Sequence, residues 1–428
     1  MAHSTKPHIR HPTEETLPSV DPGTPSIFAR IQRAVQVSSQ LYQGSPEFLR
    51  ETYQPTNLLH RDNEVDALVS ILQHTLQGYA PTPVVAYGPA GSGKTATIHL
   101  ILSSLQRLPG GDQLHVAYVP CANLQSDHAF LREVATSVEE GPQPPATEKR
   151  GTNALLESIK TALNAKGGVT VLVLDNIDEM IPRVGSEFFL PLLNLGNEGI
   201  KLGLVLVSRT SSVAVRLGEK TRSRLIPELV AFRPYTESDL RDILRVRSKA
   251  VFGTEADLEG TLAVCSSFAA DKDQGNARTA LSILRMAARF AEEDQATEVS
   301  GEHANRAVAE LSSESLVRSL QLLDEPDRTL LRSIIGMLTD GPGGEIKFEE
   351  AYTHYLERCK ALGVQPFKDR AARKHIDTME GKGFLRTRMV HLGRNGGRMK
   401  MIQAGIPAGE GLRVLDGILA PARTPRSL

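Results

Sequence analysis

Eight residues constrain this chain more than any others: Gly88-Pro-Ala-Gly-Ser-Gly-Lys-Thr95. They fit the pattern G-x-x-x-x-G-K-[ST] in full, with an apolar run at 84–87 before them and a helical pattern at 96–105 after them. A strand that turns through glycines into a helix aims backbone N–H groups, and the positive end of the helix, at an anion. In that arrangement Gly88, Gly91, Ser92 and Gly93 form the cradle. Lys94 places a cation on the terminal phosphates, and the Thr95 hydroxyl is a ligand for Mg²⁺. The expected cofactors are therefore ATP or ADP with Mg²⁺.

Such a loop needs an acidic partner for the metal. Val171-Leu-Val-Leu-Asp175 supplies one, an apolar run ending in Asp175. A plain helix-capping role for Asp175 is the alternative. Further apolar runs at 114–119, 169–174 and 202–207 alternate with helical patterns, including 64–76 and 155–163, and this predicts an α/β fold with a parallel sheet. A helical pattern also covers 26–42, and 140–151 reads as a Pro-rich loop. From residue 236 the strand signals stop, and helices are expected at 236–250, 257–270 and 277–293.

The resulting division is a disordered tail at 1–24, a P-loop domain at 25–235, a helical lid at 236–313, a third domain at 314–405 and a tail at 406–428. His8 and His11 in the first tail read as solvated, since no further ligand stands near them. Cys121, Cys265 and Cys359 are too far apart to form a C-x-x-C pair, which fits a reducing compartment. No apolar run is long enough to span a membrane, and the N-terminus shows no secretory pattern.

The third domain reads as helix, turn and two-stranded wing. Residues 368–379 have Ala372, Ile376 and Met379 at core spacing, leaving Lys368, Arg370, Arg373 and Lys374 for the open face. The wing carries Arg386, Arg388, Arg394, Arg398 and Lys400 around Gly393, Gly396 and Gly397. With Lys382, that is ten basic residues against Asp369, Asp377 and Glu380, a local charge of +7 in a chain whose net charge is −1. Positive charge concentrated on one small winged domain is the footprint of phosphate binding, so duplex DNA is the expected partner. A solvated surface or a protein-docking domain is the alternative.

The motifs taken in order resemble a known family. Asp175-Asn-Ile-Asp178 resembles the D-E-x-D box of AAA+ initiator ATPases. Tyr53-Gln-Pro with Leu59-His-Arg61, Phe232-Arg-Pro-Tyr235, Leu240 to Arg247, and Gly275-Asn-Ala-Arg278 resemble further segments of the archaeal-type replication initiators, which are related to origin recognition and helicase-loading proteins. The resemblance implies an AAA+ P-loop domain, a helical lid and a C-terminal winged helix.

It also implies that Arg278 reaches the γ-phosphate from the lid, and that Tyr235 and Arg247 meet the nucleotide where lid joins sheet. Ordinary packing or solvated roles are the alternatives for all three. The implied function is an ATP-dependent replication initiator that binds double-stranded origin DNA and helps recruit the replicative helicase alongside other initiator subunits. It would act inside the cell, in archaeal cytoplasm and nucleoid or in a eukaryotic nucleus. The alternatives are a signalling P-loop ATPase and an ATPase-deficient initiator paralogue.

The chain departs from the family pattern at three places. Asn176 stands where the family has a water-polarising glutamate, so general-base help is lost, worth about 10²–10⁴ in rate. Arg209 replaces an expected asparagine. Lys220 stands where an arginine offered to a neighbouring subunit is expected, with Arg222 and Arg224 close by. Nucleotide binding is expected; hydrolysis is expected to be slow or absent.

Overall fold

The computed structural model describes residues 41–139, 151–254, 256–340, 344–391 and 398–419, in two units, Met1–Asn305 and Arg306–Leu428. The tail expected at 1–24 lies outside the described residues, as do most of the 26–42 helix, most of the 140–151 loop, and Gly393, Arg394, Gly396 and Gly397 of the wing turn.

The first unit is built on a five-stranded parallel sheet ordered β2-β3-β4-β1-β5. Its strands are β1 (Val84–Tyr87), β2 (Leu114–Pro120), β3 (Val169–Asp175), β4 (Leu202–Ser208) and β5 (Glu228–Ala231). β3 shows why apolar runs become central strands. Leu172 and Leu174 join one core with Phe130, Ile159 and Phe189. Val171 and Val173 point the other way, into a second core with Leu68, Ile98 and Leu102. Successive residues face opposite sides, so a strand covered on both faces must be apolar throughout. Each such side chain, fully buried, contributes about 1.5–3 kcal/mol relative to an exposed one.

Helices α1 (Asp62–Leu72), α2 (Lys94–Leu105), α3 (Asp127–Val138), α4 (Thr152–Lys166), α5 (Ile177–Val184), α6 (Phe189–Leu195), α7 (Val213–Arg216) and α8 (Glu219–Leu225) complete this layer. The strand β5 was not foreseen. Among the described residues it pairs with β1 alone, and three of its four residues are exposed; its apolar run, Leu229 to Phe232, is short and stands between Pro227 and Arg233. Three helices follow, α9 (Glu237–Phe252), α10 (Glu259–Lys272) and α11 (Ala277–Glu293). A reciprocal cap between Thr236 and Asp239 sets where α9 begins.

In the second unit, part of α12 (Gly301–Gln321) leads to α13 (Glu325–Asp340), α14 (Phe348–Leu362) and α15 (Asp369–Gly381). A three-stranded antiparallel sheet is ordered β6-β8-β7, from β6 (Ile346–Lys347), β7 (Leu385–His391) and β8 (Arg398–Ala404). Ala372, Ile376 and Met379 of α15 are buried, as their spacing predicts, against Ile334, Tyr355 and Ile402.

Residues 406–428, read as a tail, contain α16 (Ala408–Leu419), which buries Leu415 in the same core. Arg332 donates Nε and Nη2 to the Asp416 carboxylate at 2.7 and 3.1 Å, tying α16 to α13. Gly409, Gly411 and Gly417 hid this helix, because glycine weakens helical propensity by about 1 kcal/mol each.

Candidate functional site

The Gly-rich turn closes the C-terminal end of β1 and opens α2. Gly91 and Gly93 have positive φ, and neither has room for a side chain. A Cβ on Gly91 would fall inside the Asn276 amide, and one on Gly93 would stand 2.9 Å from the Tyr235 hydroxyl. Only glycine permits both that conformation and that approach. The Ala277 N–H donates to the Gly91 carbonyl at 3.3 Å, so the start of α11 is seated on the turn.

Lys94 Nζ donates to the carbonyls of Gly88 and Pro89 at 2.7 Å each and to the Ser92 hydroxyl at 3.3 Å. Desolvation pushes the Lys94 pKa down to about 8, against the opposing pull of Asp175. Thr95 Oγ1 donates to Asp175 Oδ2 at 3.1 Å. A hydroxyl and one carboxylate side by side suit Mg²⁺, which keeps several waters and takes its other ligands from phosphates. Among the described residues no group of three or more His, Cys, Asp or Glu could hold a metal by itself.

One cleft of about 500 Å³ gathers most of the expected nucleotide residues. Gly91, Gly93, Lys94, Thr95, Asp175, Asn176, Tyr235, Arg247 and Arg278 all line it, and so does Arg209. Gly88 and Ser92 sit behind, holding Lys94. Ile243, Val246 and Leu281 add apolar lining.

Tyr235 and Arg247 are both wall and packing residues. Tyr235 is buried, with the Arg61 guanidinium 3.7 Å from its ring centroid. Arg247 lies 4.4 Å over Tyr53 and donates Nη1 to the Phe48 carbonyl at 2.9 Å. Burial holds its pKa below the ordinary arginine value. At the start of α11 the Arg278 N–H donates to Asn276 Oδ1 at 3.0 Å.

Arg61, which the motifs leave without a role, is among the largest fully buried side chains. Its guanidinium donates to the carbonyls of Ser92 and Arg233 at 2.8 Å each, and to Glu64 at 3.2 Å. One side chain thereby joins the turn, α1 and the segment leading to Tyr235. Arginine is seldom fully buried unless paired, so spacing alone gave no hint of it.

The three departures have a definite geometry. Asn176 caps α5 in the left-handed region at φ 57°, and its N–H donates to Asp175 Oδ1 at 2.9 Å. Arg209 pairs with Glu179 at 2.8 Å, while its own N–H donates to Asp178 Oδ1 at 3.1 Å. Lys220, Arg222 and Arg224 are exposed on α8, outside the cleft lining, with Arg224 donating to Asn194 Oδ1 at 2.8 Å.

In the second unit the basic residues divide into free and held. Lys368, Arg370, Lys374, Arg386 and Arg398 are exposed, with no ion pair among the described residues. Arg373, expected with them on the open face of α15, is instead held. It donates to Asp369 at 3.1 Å and Glu349 at 3.2 Å and lies 3.7 Å over the Phe348 ring. Arg388 is forked onto Glu345, with Nη2 at 2.6 Å, which raises the arginine's pKa and lowers the carboxylate's. Lys400 is paired with Asp377.

The two wing strands also separate these charges. His391 faces Arg398 and Met389 faces Lys400, whereas Arg386 faces Gln403 and Arg388 faces Met401. Directly opposed residues share a face and neighbours alternate. Arg398 and Lys400 therefore lie on the α15 side of the ribbon, and Arg386 and Arg388 on the other.

Comparison with known proteins follows the same three parts. Family models match in order: an AAA domain over residues 60–215, the Cdc6 AAA+ ATPase-type lid domain over 241–309, and the CDC6 C-terminal winged helix domain over 319–411. An ORC1-type DNA replication protein of Pyrococcus abyssi is 27% identical over 386 residues, covering 89% of this chain and 90% of that one. ORC1-type DNA replication protein 1 of Archaeoglobus fulgidus is 28% identical, covering 83% and 86%.

Among solved structures, the Aeropyrum pernix ORC1 protein in complex with DNA is 26% identical with a TM-score of 0.69, covering 88% of this chain and 97% of that one. Cdc6p from Pyrobaculum aerophilum, 22% identical with a TM-score of 0.54, shares the fold over 87% and 97%. AAA domains as a class bind nucleotide with Mg²⁺. With its three domains in the family's order, and relatives aligned along nearly the whole length, this chain belongs to the ORC1/Cdc6 family of AAA+ DNA replication proteins.

Proposed function

We propose that the protein is a replication initiator that binds duplex origin DNA and uses bound ATP as a conformational switch. The observation that carries this reading is the likeness to ORC1-type replication proteins across AAA, lid and winged-helix domains together. The complete phosphate cradle supports it, and so does the basic winged domain. Lys94, the cradle glycines Gly88, Gly91 and Gly93, and Ser92 hold ATP or ADP, and Thr95 with Asp175 holds Mg²⁺. Arg278 answers to the terminal phosphate, and Tyr235 and Arg247 to the lid end of the nucleotide. Lys368, Arg370, Lys374, Arg386 and Arg398 meet DNA phosphates, with Arg388 and Lys400 beside them. Arg373 steadies α15.

A switch requires that its ligand contact two states differently. The seat of α11 on the Gly91 carbonyl puts the lid where it responds to what the turn holds. Turnover in this reading is slow, because Asn176 offers no basic oxygen and Glu179 is committed to Arg209. The protein acts inside the cell with its DNA, alongside other initiator subunits and the replicative helicase it helps recruit.

The test is a footprint of the purified protein on origin DNA with ATP and with ADP. Duplex protection that differs between the two nucleotides is expected, and Lys94→Ala should erase the difference. Equal protection with ATP, with ADP and without nucleotide would remove the switch. No protection of duplex DNA under any condition would remove the initiator.

A further inference from the structure

We propose that His60 is a positioning residue for nucleotide retention: its doubly protonated ring pins the lid helix α9 beside the cleft, and loss of one proton slackens the pin. The proposal rests on the nucleotide reading above.

The path of the chain puts His60 at a crossing point. Before it, the segment clings to the lid. The Gln43 and Gly44 N–H groups donate to the Val251 carbonyl at 3.0 and 2.9 Å, and the Phe48 carbonyl accepts from Arg247. After it, α1 packs on the sheet, with Leu68, Ile71 and Leu72 in the core that holds Val84 and Val171. The two residues at the crossing take different partners. Arg61 reaches the Gly-rich turn and the Arg233 carbonyl. His60, in the left-handed region at φ 59°, presents its ring to α9.

That ring stands between two carboxylates. Nδ1 lies 3.3 Å from Asp239 Oδ1, and Nε2 lies 3.1 Å from Asp242 Oδ2. Each carboxylate gives its other oxygen to an arginine: Asp239 Oδ2 accepts from Arg233 at 2.6 Å, and Asp242 Oδ1 accepts from Arg245 at 2.8 Å. Burial pushes the Asp239 carboxyl up, but hydrogen bonds from Thr236 and Arg233 outweigh it and hold the group below the usual carboxylate range, so it is charged near neutrality. A neutral imidazole has one N–H and one lone pair. It can donate to one of these carboxylates and must turn its lone pair on the other. The imidazolium donates to both.

The other charges nearby already have partners. Arg245 forks onto Glu259 of α10. On the α1 side Glu64 pairs with Arg61, whose Nη1 donates to the His60 carbonyl at 3.0 Å. Along the chain Arg233–Asp239–His60–Asp242–Arg245–Glu259, two arginines stand against three carboxylates, and the second proton on His60 brings the balance.

The cleft feels this through α9. Asp239 and Asp242 lie in the first two turns of that helix, and Ile243, Val246 and Arg247 further along it line the cleft. Holding the start of α9 holds that lining. The contacts are partly wet, with the His60 side chain 31% exposed and that of Asp242 44%, so the pin is a modest one. Histidine ordinarily changes charge between about pH 5 and 8, so the pin loosens, and nucleotide leaves faster, as pH rises through that range.

The test follows release of N-methylanthraniloyl-ADP, bound with Mg²⁺ to the full chain, after a chase with unlabelled ADP, from about pH 5.5 to 7.5. Release from the wild type should quicken about fivefold across that range, the scale of two half-exposed ion pairs. His60→Gln should release at the faster rate throughout, and Asp242→Asn should show a shallower rise. The probe is the same in all three proteins, so ionisation of its phosphates cancels in the comparison. A rise in His60→Gln equal to that of the wild type, or a wild-type rate that stays flat or falls as pH rises, overturns the pin while the nucleotide reading stands. If His60→Gln fails to fold, judged by its unfolding midpoint, Asp242→Asn decides alone, and a rise as steep as the wild type's overturns the pin. A wild-type chain that retains no probe overturns the nucleotide reading and the pin with it.

Discussion

Lys94 carries its charge under strain, because the cleft withdraws water from it and its pKa is about 8 instead of 10.5. Two consequences follow with opposite signs. Binding of an anion needs the protonated amine, so nucleotide affinity should fall as pH rises through about 8, well below where an exposed lysine would lose its charge. Stability moves the other way: between about 8 and 10.5 the unfolded chain holds the proton more tightly, so the Lys94 contribution improves as pH climbs. Affinity for a fluorescent ATP analogue measured from pH 6.5 to 9.5 checks the first point, and a flat profile to pH 9.5 would refute it. Asn176 shows a second residue-scale constraint. At φ 57° it occupies a conformation that costs most L-residues roughly 1–2 kcal/mol and that asparagine tolerates well. Asparagine therefore suits this left-handed N-cap position through its backbone, with no capping hydrogen bond from its side chain.

At the scale of elements, α16 has a structural duty: it packs Leu415 into the winged-helix core and clips Asp416 to Arg332 of α13. Leu415→Ala should destabilise the second unit by about 2–5 kcal/mol. Ending the chain at residue 405 should lower the unfolding midpoint further, read by far-ultraviolet circular dichroism of the 306–405 fragment against 306–428. An unchanged midpoint in both would show that α16 is ornamental. The elements plainest in the sequence are those whose burial is regular or complete, while the partly buried β2 was legible from its apolar run alone. β1, β3 and β4 are covered on both faces and therefore read as unbroken apolar runs, and α15 buries one regular stripe. β5 and α16 escaped because one is an exposed edge strand and the other is interrupted by glycines. The candidate site followed the same division. Its cradle, Asp175 and Arg278 stand in short, chemically specific motifs. Arg61 takes its meaning from partners at Ser92 and Arg233, and the Arg209–Glu179 pair joins two different elements, so neither could be seen before the chain was folded.

Across the whole molecule, charge is unevenly placed: a chain with net charge −1 keeps +7 on residues 366–404. The unit 306–428 has its own core and should fold and bind duplex DNA alone, with log K falling against log salt by about 0.9 for each phosphate neutralised. Replacing Arg386 and Arg398 together by Ala should flatten that slope by up to about 2, measured by fluorescence anisotropy at several salt concentrations. A slope untouched by the pair would place the DNA contacts elsewhere. The separation of those two arginines onto opposite sides of the β7–β8 ribbon has a stereochemical consequence of its own. A flat array of phosphates satisfies one side of a blade and leaves the other in water. Both sides are satisfied at once only between two rows of anions, as in the trough between the two sugar–phosphate rails of a duplex, so the DNA contacts proposed for these arginines would meet the ribbon edge-on.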